Sequence, residues 1–211
     1  VSFLVKNEEG YKNLLYLSSL SHTSGNYPIG IYSKDLEHHS RGLICFVGGE
    51  YNPFLFLQLQ NKASLIKKYI NFFKDLFNFD FLFEIQRIKD AKIDEFENDF
   101  FEYANEFNIP LIGSNNIKFE KEDDFNSHDA LLCIAQKSTI NQTNRLISNP
   151  EIYFKSSLDM SEIFSDMPQI FENNFLISQK CNYFPEEISP KLPKFSNNTS
   201  ISESEMLNEE A

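Results

Sequence analysis

Apolar and polar positions divide the chain into short apolar runs separated by amphipathic stretches. Ser2–Val5 is a strand candidate. Asn7-Glu8-Glu9-Gly10-Tyr11 then opens a helix whose first-turn acids suit the positive end of its dipole, with Tyr11, Leu14, Leu15 and Leu17 as its apolar face. Ser21–Ile31 contains Gly25, Pro28 and Gly30 and reads as a loop. Gly42–Val47 reads as a buried strand that ends in Gly48-Gly49-Glu50. Ala63–Phe77 sets Ile66, Tyr69, Ile70, Phe73, Leu76 and Phe77 on one side of a helix, the stripe of a core element. Phe81–Gln86 reads as a half-buried strand with alternating faces.

Ile93, Phe96, Phe100, Tyr103 or Ala104, and Phe107 mark the next helix. Its other face carries Asp94, Glu95, Glu97, Asp99, Glu102 and Glu106, the pattern of a solvated face rather than of a catalytic carboxylate pair. Asn108-Ile109-Pro110 ends that pattern, and Leu111-Ile112-Gly113 restarts as a buried strand. This strand delivers Ser114, Asn115, Asn116 and Lys118 to its C-terminal end, where parallel sheets place their chemistry. Glu122 or Asp123 starts a helix that carries His128, for which a structural hydrogen bond is the expected role. Ser138–Pro150 is polar loop. Ser156 and Asp159 have capping-box spacing, and Pro168 suits the first position of a helix reaching Lys180. Beyond Pro185 the chain turns into a linker, with Pro190, Pro193 and the run Ser196-Asn197-Asn198-Thr199-Ser200. Strand–helix alternation of this kind argues for a parallel α/β architecture.

Composition narrows the partners. The 211 residues suffice for one sizeable domain with a tail, and 41% of them are hydrophobic, as in globular chains. A net charge of −12 makes a poor non-specific ligand for a phosphate backbone, so this piece is not expected to grip DNA. Cys45, Cys133 and Cys181 are odd in number and widely spaced, which fits a reducing cytoplasm better than a disulfide framework. No apolar run has the length of a membrane span. Val1-Ser2-Phe3-Leu4-Val5 lacks the marks of a signal peptide and reads as a strand already under way, so the chain is expected to begin inside a larger protein. His38 and His39 are adjacent on a segment read as extended, which points them to opposite faces and away from a shared metal. Gly48-Gly49 lacks the following Lys and Ser/Thr of a phosphate-binding loop and reads as a tight turn.

Several stretches resemble the polymerase-and-histidinol-phosphatase (PHP) region of the bacterial DNA polymerase III alpha subunit family. Glu84-Ile85-Gln86-Arg87 resembles that family's "leu-glu-leu-gln-arg-his" strand. Pro110–Phe119 resembles its "pro-leu-val-ala-thr-asn-asp-val-his-tyr" strand and loop. Ser127-His128-Asp129-Ala130-Leu131-Leu132-Cys133-Ile134 resembles its "ala-his-asp-val-leu-leu-cys-ile" helix. Val5–Leu14 and Leu192-Pro193-Lys194-Phe195 resemble further family segments, collinear along the chain.

The resemblance implies a distorted, barrel-like β/α PHP domain over residues 1–184 that lacks its first strands. Residues 185–211 would be a linker and the start of the polymerase body. It also implies DNA-directed DNA synthesis by a whole subunit that uses Mg, with the nucleotide-transferring aspartates outside this chain. The proofreading exonuclease subunit, other holoenzyme subunits, and DNA through other domains are the implied partners.

Metal-competent members of the family hold ions with His, Asp, Glu and sometimes Cys. Here "gln-arg-his" reads Gln86-Arg87-Ile88, and "asn-asp-val-his" reads Asn115-Asn116-Ile117-Lys118. Ile offers no lone pair, Asn a weak neutral oxygen, and Lys a cation that repels a metal. The family's "leu-ser-gly-cys" is shortened after Cys45, with Phe46-Val47 running into Gly48-Gly49-Glu50. The positions Ile88, Asn116 and Lys118 therefore read as a vestigial metal site, with no catalytic, cofactor-binding or metal residue in this chain. Lys118 is expected to fill the emptied cavity and pair with a carboxylate. The competing reading is a free-standing PHP-type metal-dependent phosphoesterase, which needs intact ligands.

Overall fold

Four strands form one sheet in sequence order: β1 (Ser2–Val5), β2 (Leu43–Gly48), β3 (Phe81–Gln86) and β4 (Leu111–Ser114). The structure, a computed structural model, describes residues 1–23, 30–49, 52–187, 189–190 and 202–210. β2, β3 and β4 run parallel, and β1 is antiparallel to β2, with Phe3 opposite Cys45. The expected α/β architecture is present. The intervening helices are α1 (Glu8–Thr23), α2 (Ser33–His38), α3 (Pro53–Leu59), α4 (Ala63–Phe77) and α5 (Ala91–Phe107). After β4 come α6 (Phe125–Gln136), α7 (Ser157–Ile163), α8 (Gln169–Lys180) and α9 (Glu203–Glu210). The glutamate after Gly49, residues 24–29 of the loop read as Ser21–Ile31 and the Pro193–Ser200 linker lie outside the described residues, and residues 21–23 belong to α1 instead of that loop.

The main core lies on the sheet face that carries Cys45, Val47, Phe81, Phe83 and Ile85, against α3, α4 and α5. Ile44, Leu82 and Ile112 face the other way and meet Ile177 of α8. The half-buried reading of β3 is therefore corrected. Every residue of β3 except Glu84 is buried, because the strand sits between two parallel neighbours with apolar groups on both faces. Two residues assigned to apolar helix faces turn outward as well: Leu15 is 50% and Tyr69 44% exposed. His38 ends a short helix rather than an extended segment. His39 stacks on Tyr16 at 4.2 Å and hydrogen-bonds Asn13.

Local chemistry explains several boundaries. Asn52 caps α3 by accepting from the Phe54 amide, with Pro53 as its first residue; the sequence reading had assigned no helix there. Asn108 ends α5 in the left-handed region, and the Ile109 amide reaches back to the Ala104 carbonyl. The Ser156–Asp159 capping box forms at the start of α7. Pro168 caps α8 from just outside instead of occupying its first position. A short 3-10 turn, Glu122–Asp124, precedes α6. Gly10 and Gly42 let α1 touch the strand entry: a Cβ on Gly10 would stand 2.0 Å from the Gly42 carbonyl oxygen.

Among the described residues β4 has an edge without a strand partner, and α8 covers it with side chains. Asn173 Nδ2 donates to the Leu111 carbonyl at 2.8 Å. Asn174 Nδ2 donates to the Gly113 carbonyl at 2.8 Å, and its Oδ1 accepts from the Gly113 amide at 3.3 Å. A carboxamide thus supplies the donor and acceptor that a neighbouring peptide would, which blunts an edge otherwise open to foreign strands. Replacing Asn174→Ala leaves two partly buried backbone groups unpaired, so we expect a loss of about 1–3 kcal/mol in urea unfolding. A loss below about 0.5 kcal/mol would show that water replaces the amide there.

Candidate functional site

Three parallel strands bring their C-terminal ends together, and the ends of β2, β3 and β4 line one cleft with Gly48, Gly49, Glu84, Gln86, Asn115 and Asn116. Glycine at 48 is required by the backbone, since a Cβ there would lie 1.9 Å from the Glu84 carbonyl oxygen. Gly49 adopts φ +68°, and Gln86 packs against it so closely that a Cβ would meet Gln86 Oε1 at 2.4 Å. The glycine pair is a tight turn, as the sequence suggested.

Within the cleft Ser114 links two polar side chains, Glu84 and Gln86. Ser114 Oγ donates to Glu84 Oε1, and Gln86 Nε2 donates to Ser114 Oγ at 3.2 Å. Because the single Ser114 proton goes to Glu84, the Gln86 amide must present its NH2 to Ser114. This leaves Gln86 Oε1 buried without a protein partner among the described residues.

The residues singled out from the sequence are not gathered into a binding shell. Ile88 is 2% exposed, and its carbonyl accepts from Asn149 Nδ2 at 3.0 Å. Asn116 is half-buried and lines the cleft. Lys118 is exposed and, among the described residues, makes no ion pair, so the expectation that it fills the cavity and meets a carboxylate is corrected. His128 is hydrogen-bonded to Ser148 Oγ at 2.6 Å and packs on Phe119, the structural role expected of it. Asp129 on the same helix is 7% exposed and takes two hydrogen bonds of 2.7 Å from Arg145. Arg145 holds its carboxyl below the usual range.

Two residues to which sequence reasoning gave no role tie together segments that follow the strands. Arg87, one position before Ile88, donates to Glu97 on α5 and to Asp166 before α8, and also to the Ile163 carbonyl at 2.8 Å. Its guanidinium lies over the Phe164 ring. Asp166 first and Glu97 next raise the guanidinium pKa further above its ordinary value. The solvated reading of the acidic α5 face is corrected at Glu97 by this pair and at Asp99 by Gln58, while Glu106 stays exposed and pairs with Lys67 on the surface. The second residue is Lys155, 8% exposed, which is bonded to Glu151.

The donor set does not fit the metal cluster that the PHP resemblance implies. Among the described residues one carboxylate, Glu84, stands in the cleft with neutral amides and a hydroxyl, and no imidazole lines it. Among the described residues no three His, Cys, Asp or Glu side chains gather in metal-binding geometry. Imidazole and carboxylate together would be needed for Zn or Mn, and this cleft supplies neither in sufficient number.

Comparison with known proteins adds the lineage. Residues 1–88 match the PHP domain family. Over 216 aligned residues and the whole of this chain, the sequence is 33% identical to DNA polymerase III subunit alpha of Rickettsia bellii, covering 18% of that protein. It is 37% identical over 188 residues to the same subunit of Borreliella burgdorferi, covering 86% of this chain and 16% of that protein. It is 35% identical over 204 residues to that of Campylobacter jejuni, covering 90% of this chain and 17% of that protein. The chain thus spans under a fifth of the length of the curated relatives it matches.

Proposed function

We propose, from the premise that this chain belongs with the PHP region of the DNA polymerase III alpha subunits, that it is a structural and docking domain of a DNA-synthesising subunit. The observation that supports this reading is the make-up of the cleft. Ser114 links Glu84 to Gln86 by hydrogen bonds, Ile88 is buried and its side chain carries no donor atom, and Lys118 is exposed. Nucleotidyl transfer uses paired carboxylates that hold two metal ions, and among the described residues no such constellation stands in this chain. The Mg-dependent chemistry would therefore belong to other parts of the subunit. This domain would hold the proofreading exonuclease subunit and neighbouring holoenzyme subunits in the cytoplasm, with DNA bound elsewhere. The net charge of −12 supports that division, and no described helix is long and apolar enough to cross a membrane.

Four measurements on the purified chain test the proposal. Elemental analysis should find no stoichiometric Zn or Mn, and an aryl phosphate should not be turned over. Pull-down should retain the cognate proofreading exonuclease, and a gel shift at physiological salt should show no tight duplex binding. Near-stoichiometric metal with metal-dependent turnover would move the reading to a PHP-type phosphoesterase.

A further inference from the structure

Residues 149–155 cross the C-terminal ends of β3 and β4 as a strap. At one end Asn149 Nδ2 holds the Ile88 carbonyl just past β3. In the middle Asn115 Nδ2, just past β4, donates to the Glu151 carbonyl at 3.3 Å and to the Tyr153 carbonyl at 2.6 Å. Backbone bonds tie the far end to the segment after β4: the Lys118 amide to Ile152 O at 2.8 Å and the Phe154 amide to Phe119 O at 3.1 Å.

The Lys155 side chain turns back beneath this strap and is 3% exposed. Its ammonium donates to the Glu151 carbonyl, lies 3.2 Å from Glu151 Oε2, and stands 3.9 Å from the Tyr153 ring centroid. The Glu151 carbonyl oxygen is thus shared by Asn115 and Lys155, which places a buried cation within one residue's reach of the strand ends. Lys89 binds the outer Glu151 oxygen, but its side chain is 80% exposed. A buried ammonium costs free energy unless its donors are satisfied, and here a carbonyl, a carboxylate and an aromatic face do so.

We infer that Lys155 is a built-in cation that clamps the strap over the strand ends, fixing the Glu151 and Tyr153 carbonyls that hold Asn115 at the end of β4. Lys155 is a positioning residue: it touches Glu151 and Tyr153 and acts on the cleft through the strap.

Site-resolved hydrogen exchange on the whole chain tests the inference. Lys155→Met removes the charge and keeps most of the stem, while Glu151→Gln removes only the carboxylate charge. In both, the Lys118 and Phe154 amides should exchange about tenfold faster or more, while the β3 amides Leu82 and Ile85 change little. Lys118→Met should leave all four unchanged. Unaltered Lys118 and Phe154 exchange in both strap variants would overturn the inference, and so would equal acceleration of the β3 amides, which would mark Lys155 as an ordinary core residue.

Discussion

Replacing Phe83→Ala should cost about 3–5 kcal/mol of folding stability, the largest effect expected of a single substitution in this chain. Phe83 is 0% exposed at the centre of β3. Its ring stacks on Phe100 of α5 at 4.4 Å and meets Phe81 at 5.6 Å and Phe54 of α3 at 6.1 Å. Truncation removes the strand's ring from a Phe54–Phe83–Phe100 triangle that joins α3, β3 and α5. A cavity among close-packed aromatic rings collapses poorly, so both the transfer and the cavity contributions are lost. Urea unfolding followed by circular dichroism measures the loss. Phe79→Ala is the control, since Phe79 is 82% exposed and should change stability by no more than about 0.5 kcal/mol. Equal effects of the two substitutions would mean that β3 is not the centre of the core.

Arg87→Met is expected to follow at about 2–3 kcal/mol. Breaking a fully buried ion pair costs about 3–5 kcal/mol because one charge is left uncompensated. Here Arg87 keeps 23% of its side-chain surface exposed and Asp166 keeps 57%, so solvent screens part of that cost. The loss should also depend on pH. Arg87 holds the Asp166 carboxyl below its ordinary range, against a smaller opposing push from burial. A carboxyl lowered in the folded state contributes stability above its unfolded pKa, about 3.9, and loses it as pH falls through the folded value. The gap between the unmutated chain and Arg87→Met should therefore be full near neutral pH and narrow below about pH 4. Asp80 belongs to the same acid limb in both proteins. Burial pushes its carboxyl up, and Lys6 and Lys180 more than offset this. A gap that stays constant from pH 7 to pH 3 would show that Arg87 acts through its packing on Phe164 rather than through its charge.

The boundaries of β1, α4 and the α7 capping box were legible in the sequence because each is written in neighbouring residues. Periodicity is set by side chains three or four positions apart, and a cap by one side chain and an amide three positions on. The residue types at the family's ligand positions are also read from the sequence alone. Ile88, Asn116 and Lys118 lack the donors that Zn or Mn need, whatever surrounds them. α3 had a local signal too, Asn52 followed by Pro53, which the sequence reading left unused.

The remainder depended on partners that the sequence does not place side by side. The Glu84 and Gln86 positions looked like the polar face of a half-exposed strand. Only the packing of β3 between β2 and β4 shows them turned into a cleft, with Ser114 of the neighbouring strand using both. Arg87 meets Asp166 across 79 positions of sequence, and Asn174 meets Gly113 across 61, distances at which no periodicity carries information. Lys118 and Lys155 were both lysines near the strand ends. The strap decided between them: Asn115 and Asn149 anchor a backbone that buries one ammonium against Glu151 and Tyr153, and leaves the other in solvent. A charge leaves water only where donors and acceptors are already fixed to receive it, and that fixing is a property of the folded chain rather than of any stretch of its sequence.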